Sequence, residues 1–212
     1  AAPVGELLGV GIFDGIRALQ LVLTVLKGPL AGYISIEKMK EAQRTGDVAF
    51  PGAKIKQKVE EVTEDDVRQW ASEFPRVGLV LLGAGPPCQD VAGLNAGRLG
   101  AVEGSRSSLH VHVSRLRALF KKYFPWAEVY TLQESVASMD LSDLLVYSEE
   151  YGSFPFRICA GGVSLARRDR FYWVDWEMLD DPDMVVSESK VHYTPVTFNV
   201  PVNAEDFLEH GC

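Results

Sequence analysis

The run Val77-Gly-Leu-Val-Leu-Leu82 constrains the fold most: it is short and partly β-branched, and Gly83, Gly85, Pro86 and Pro87 come directly after it. Such a run reads as a buried strand that stops at a turn. Other stretches repeat the pattern with helical ones between them. Leu7–Phe13 reads as a strand followed by an Asp14-Gly15 turn, and Ile16–Lys27 as a helix with Ile16, Leu19, Leu23 and Leu26 on one face, stopped by Gly28-Pro29. Gly32–Glu37, Glu128–Gln133, Arg157–Val163 and Phe171–Val174 read as further strands. Lys40–Lys58 reads as a surface helix and loop, Thr63 as the N-cap of the next helix, and Leu109–Phe120 as an amphipathic helix. Strands alternating with helices predict an α/β fold with a mostly parallel sheet flanked by helices, and 212 residues suit one such domain.

Composition narrows the chemistry. Hydrophobic content of 47% and charged content of 24% are those of a soluble globular chain. Cys88, Cys159 and Cys212 are widely spaced and odd in number, so neither a disulfide framework nor a cysteine metal site is expected, and a reducing, intracellular setting is. Leu19–Leu26 is too short to span a bilayer. The chain opens on Ala1 rather than methionine, as a piece of a longer protein would. A net charge of -8 is awkward for a nucleic-acid enzyme, since phosphate affinity comes mostly from Lys and Arg. Arg115, Arg117, Lys121 and Lys122 form the densest basic cluster, read either as a solvated face or as a phosphate contact.

Open α/β sheets bind ligands beyond the C-terminal ends of their strands, and three loops carry reactive side chains there. Cys88 follows Pro86-Pro87, which fix the backbone ahead of it. It is either a small core hydrophobe or a nucleophile, and Gln89 and Asp90 favour a held polar loop. The Asp14-Gly15 turn precedes a helix, and Glu37 lies about 20 residues further on, where Rossmann-like sheets present a carboxylate to ribose hydroxyls. Glycines 9, 11 and 15 do not make the dinucleotide fingerprint. Arg168 and Arg170 fall on one side of an extended segment. Ala96–Ser107, rich in glycine and carrying Arg98 and Arg106, has the length of a lid.

Pro86-Pro87-Cys88-Gln89, after a strand and Gly-x-Gly, resembles the nucleophile motif of the C5-cytosine methyltransferases, which act on DNA or, in one branch, on transfer RNA. Phe13-Asp14-Gly15-Ile16 resembles the family's first S-adenosylmethionine motif in the form of the animal de novo DNA methyltransferases. Glu37 matches the ribose-binding acid, Glu134 the catalytic carboxylate, and Arg168-Asp169-Arg170 part of the Gln-x-Arg-x-Arg motif.

The resemblance covers Leu7 to Trp176 and implies a Rossmann-like, class I fold. It implies Cys88, Glu134, Arg168 and Arg170 as catalytic residues, and Phe13, Asp14, Gly15, Ile16, Glu37, Val59 and Pro87 as contacts for S-adenosylmethionine, with no metal. Three positions depart from the pattern. Lys58 stands where an aspartate contacts adenine, Ser135 where asparagine follows the catalytic acid, and Ala166 where glutamine precedes the arginines. Residues 1–176 are thus expected to be the catalytic domain and 177–212 an extension with an acidic turn at Asp180–Asp183 and an irregular hairpin at Val191–Val202. No target-recognition region is visible there. DNA in the nucleus is the expected substrate, with transfer RNA the alternative, no membrane, and a protein partner to supply target recognition. A silent methyltransferase-like module is the rival from another class.

Overall fold

Strand β1 (Glu6–Ile12) lies inside a mostly parallel sheet in the computed structural model, which describes residues 5–26, 30–93, 95–97, 99–104, 107–162, 168–177, 185–186 and 191–193. On one side of β1 stand β2 (Leu30–Ile36) and β3 (Lys54–Lys56); on the other stand β4 (Val77–Ala84) and β5 (Glu128–Val136), all parallel. Next comes β7 (Asp169–Val174), antiparallel both to β5 and to β6 (Phe156–Cys159) beyond it. Two short strands, β9 (His192–Tyr193) and β8 (Val185–Val186), extend that edge, giving the order β3-β2-β1-β4-β5-β7-β6-β9-β8. The chain goes one way from β1 to β2 and the other way to β4. The loops after β1 and β4 therefore diverge at the C-terminal edge and leave a crevice there.

Alternation along β1 divides the core between two layers. Leu8, Val10 and Ile12 point into the larger cluster with Val67 and Trp70 of α3 (Glu64–Glu73) and Leu116 and Phe120 of α5 (Val111–Tyr123). Leu7 points the other way, onto Leu23 of α1 (Ala18–Val25) and Tyr33. Gly9 and Gly83 share that second face. A Cβ on either would meet a leucine of α1, Leu23 or Leu19, at 2.7 Å, so α1 seats directly on the backbone. At the far side, α6 (Leu141–Tyr151) lays Tyr147 against Trp173 of β7, with ring centroids 5.2 Å apart.

Several expected bounds move for local reasons. The first helix begins at Ala18 rather than Ile16, because Phe13 and Arg17 both take positive φ, 56° and 67°. The Lys40–Lys58 stretch resolves into α2 (Lys40–Ala49) and the edge strand β3. The strand expected at Arg157–Val163 ends at Cys159 in a 3-10 turn over Ala160–Gly162, and Val163 lies outside the described residues. His192–Tyr193 pairs with Val185–Val186 upstream; residues 194–202 of the expected Val191–Val202 hairpin lie outside the described residues, as does Asp180–Asp183. Among the described residues no helix is long and apolar enough to cross a membrane.

Candidate active site

The loop after β1 is built from its own side chains. Asp14 folds back on the strand ends and accepts hydrogen bonds from the hydroxyls of Tyr33 and Ser35, each at 2.7 Å. Burial pushes its carboxyl above the ordinary aspartate range despite those donors. Gly11 has no side chain for a plain reason: a Cβ there would lie 2.0 Å from Asp14 Oδ1. Buried Arg17 then anchors the loop to α2, donating to the carbonyl of Phe50 at 2.6 Å and pairing with Asp47.

Glu37 joins this loop to the next. Its Oε2 accepts from the backbone N–H of Gly15 at 2.9 Å, and its Oε1 from the N–H of Met39 at 2.8 Å. Gln43 donates to its carbonyl. The carboxylate therefore stands fixed at the edge of a cavity of about 410 Å³, which Phe13, Val59 and Pro87 also line. Four of the seven expected cofactor contacts meet there. Asp14 and Gly15 shape the loop without forming the wall, and Ile16 is exposed to solvent. Lys58 lies on the same wall, its ammonium paired with Glu61 at 2.7 Å.

Next to that cavity, β4 delivers the cysteine loop. Gly85 N–H donates to Ile12 O at 3.1 Å, tying the end of β4 to the end of β1. The carbonyl of Cys88 accepts from Val91 and Ala92, at 3.1 and 2.9 Å, so the half-buried thiol sits at the start of a tight turn. The segment beyond this turn is packed down. Gly93 N–H donates to Ser138 Oγ at 3.1 Å, Gly100 N–H to Asp90 O at 2.9 Å, and Ala101 N–H to Asp143 Oδ1 of α6 at 2.8 Å. The expected lid thus contains a one-turn helix, α4 (Gly100–Glu103), pinned to α6; Arg98 and Arg106 lie outside the described residues.

The carboxylate comes from β5, Arg170 from β7 and Arg168 from the residue just before β7. Glu134 lies opposite Tyr172 in the antiparallel pair, which places Arg170, two residues earlier on β7, diagonally across the same face. Arg170 forms an ion pair with Glu134 through Nε, and Arg168 reaches the same oxygen at 3.8 Å. Burial raises the Cys88 pKa, with the charge of Glu134 adding to it and Arg170 and Arg168 opposing. All four expected catalytic residues therefore act on one another at one strand edge. Ser135, the departure beside Glu134, is buried. Ala166 lies outside the described residues.

The basic cluster is paired within the fold. Arg117 and Lys121 reach Asp175 at 3.6 and 3.5 Å, Lys122 pairs with Glu64 at 2.5 Å, and Arg115 holds backbone carbonyls. Sequence reading missed Tyr33, Ser35 and Arg115, which shape the site from behind. Their signal is pairing across the sheet or between layers, which no local spacing carries. Among the described residues no cluster of His, Cys, Asp and Glu could hold a metal ion.

No protein-family model matches the sequence. Solved structures share the fold at low identity. A Spodoptera frugiperda DNMT2 mutant superposes with a TM-score of 0.61 at 17% identity, over 98% of this chain and 61% of its own. Schizosaccharomyces pombe (S. pombe) Dnmt2 methyltransferase gives 0.53 at 14%, over 84% and 52%. The Entamoeba histolytica methyltransferase EhMeth gives 0.53 at 13%, over 83% and 55%. The chain thus has a Rossmann-like methyltransferase fold and spans between 52% and 61% of the length of these proteins.

Proposed function

We propose that this chain is the catalytic part of an S-adenosylmethionine-dependent cytosine-5 methyltransferase acting on DNA in the nucleus. One observation carries the reading: Cys88, Glu134, Arg168 and Arg170 converge at the strand edge beside the cavity bordered by Glu37. The cavity suits the cofactor. Its volume is within the roughly 300–1,000 Å³ of ordinary ligand sites, its wall offers apolar Phe13, Val59 and Pro87, and Glu37 offers it a fixed carboxylate, the kind of acceptor ribose hydroxyls take. When bound, S-adenosylmethionine supplies an electrophilic methyl group.

Carbon 5 of cytosine is too weak a nucleophile to take that methyl unaided. As Cys88 Sγ bonds to carbon 6, its proton passes to the Glu134 carboxylate and on to ring nitrogen 3, where charge builds, and carbon 5 becomes enamine-like. Arg170 and Arg168 orient that carboxyl. Loss of the carbon 5 proton to solvent water then expels Cys88 as a thiolate, and the proton on ring nitrogen 3 returns through Glu134 to the sulfur, which restores the aromatic ring and the thiol. Since burial raises the thiol pKa, Cys88 gives up its proton as it attacks rather than standing ionised beforehand. A base in a duplex must be flipped out to reach the thiol, at a cost of roughly a few kcal/mol.

Two other readings have observations behind them. The Pro-Pro-Cys-Gln form is compatible with the transfer RNA branch. Lys58 on the cavity wall, Ser135 in place of an asparagine beside Glu134 and a thiol shifted toward its neutral form favour a silent module that regulates a partner. DNA and transfer RNA containing 5-fluorocytosine separate all three, because fluorine at carbon 5 blocks the final elimination. A denaturing gel is expected to show a shifted band with DNA that disappears in Cys88→Ala. A band with transfer RNA alone replaces the substrate; no band with either, from folded protein, leaves the silent module.

A further inference from the structure

We infer that Arg115 is a positioning residue for the cofactor cavity, holding from α5 the backbone turn that forms one of its walls; the inference rests on that cavity being the S-adenosylmethionine site. The wall is the 3-10 turn Val59–Glu61, of which Val59 and Glu60 line the cavity, with Lys58 just before it. By itself the turn is weakly closed. Its backbone bonds, Glu61 N–H to Lys58 O and Val62 N–H to Val59 O, are long, at 3.2 and 3.3 Å, and isolated 3-10 turns have poor hydrogen-bond geometry.

Arg115 supplies what the turn lacks. Its Nη2 donates to Val59 O at 2.7 Å and its Nη1 to Val62 O at 2.8 Å, so one rigid fork spans both ends of the turn. The third direction is used as well, because Nε donates to Nδ1 of His112 at 3.3 Å. That bond needs His112 unprotonated at Nδ1, and burial followed by the charge of Arg115 holds its pKa below the ordinary value. Leu109, on the cavity lining, comes from the turn that leads into the same helix. Two walls of the cavity thus hang on the start of α5.

Arg117 makes a matched control. It lies two residues along, donating to Glu150 O at 3.4 Å and pairing with Asp175 at 3.6 Å, both away from the cavity. Losing it weakens the helix anchorage without touching the turn.

The test measures S-adenosylhomocysteine binding by calorimetry for wild type, Arg115→Met, Arg115→Lys and Arg117→Met, with a thermal midpoint for each. Arg115→Met is expected to bind about tenfold more weakly, the effect of one charge-assisted hydrogen bond, and Arg115→Lys to recover part of that. Arg117→Met is expected to bind as wild type does. Trapping on 5-fluorocytosine is expected to slow in Arg115→Met at low cofactor and to recover at saturating cofactor, a loss of cofactor binding with the maximal trapping rate kept. Equal binding by folded Arg115→Met and wild type overturns the inference, as does equal weakening in Arg117→Met. Should Arg115→Met not fold, Arg115→Lys decides alone: wild-type affinity overturns, weakening supports. A wild type that binds no S-adenosylhomocysteine instead removes the reading of the cavity, and Arg115's role with it.

Discussion

At Cys88 the opposing influences can be ranked. Burial is the largest, and the Glu134 carboxylate adds to it, so together they outweigh Arg170 and Arg168 and the pKa lies above the ordinary thiol value of 9.0. Each substitution therefore has a definite sign. Glu134→Gln removes a negative charge, lowers the thiol pKa, and at fixed pH enlarges the thiolate fraction. Arg170→Gln removes a positive charge and also leaves Glu134 less neutralised, so the fraction shrinks. Iodoacetamide alkylation of Cys88, followed by mass spectrometry from pH 7 to 10, is expected to run fastest in Glu134→Gln and slowest in Arg170→Gln. The wild-type rate should still be rising where an exposed thiol has levelled off. Identical rates in all three would separate Cys88 from the charges that the geometry sets around it. Glu134→Gln is also expected to abolish methyl transfer while quickening alkylation, which distinguishes a lost proton donor from a damaged cysteine loop.

Helix α3 shows what local sequence can specify. Thr63 accepts from Asp66 N–H at 3.2 Å while Asp66 Oδ2 accepts from Thr63 N–H at 2.9 Å, a closed capping box. Thr63→Ala is expected to cost about 1 kcal/mol in urea unfolding, and a loss under about 0.3 kcal/mol would mean that packing of Val67 and Trp70 alone sets the helix start. This cap was legible because its signal lies within four residues. So were the strands at the sheet's centre, whose apolar runs end in glycine, proline or an acid, and the residues that those ends deliver: Cys88, Glu37 and Glu134. Strand β3 was not legible. Lys54-Ile55-Lys56 is too short and polar to carry a period, and it exists because β2 offers it a free edge. Nor was α4, where buried Ala101 donates its N–H to Asp143, 42 residues away.

Charge settles at the scale of the whole molecule what no single residue decides. The net charge is -8, and the basic residues around α3 and α5 face acids: Lys54 with Glu73, Lys56 with Asp66, Arg68 with Asp65, Lys122 with Glu64, and Arg117 and Lys121 with Asp175. A lysine must leave its acid before it can neutralise a phosphate, so that surface offers little net attraction to a polyanion. Arg168 is placed differently, because Arg170 already pairs with the acid the two share. Arg168 is 62% exposed and stands 3.8 Å from Glu134. Each phosphate contact contributes about -0.9 to the slope of log affinity against log salt on duplex DNA. With one or two arginines engaged, fluorescence anisotropy between about 50 and 200 mM salt is expected to give weak binding and a slope no steeper than about -2. A slope near about -6 would mean that the ion pairs of α5 open on binding and that the helix is itself a nucleic-acid surface. The shallow slope instead requires the phosphate-binding charge to come from a partner or from a further segment. Adding that component should then steepen the slope and raise the trapping rate together.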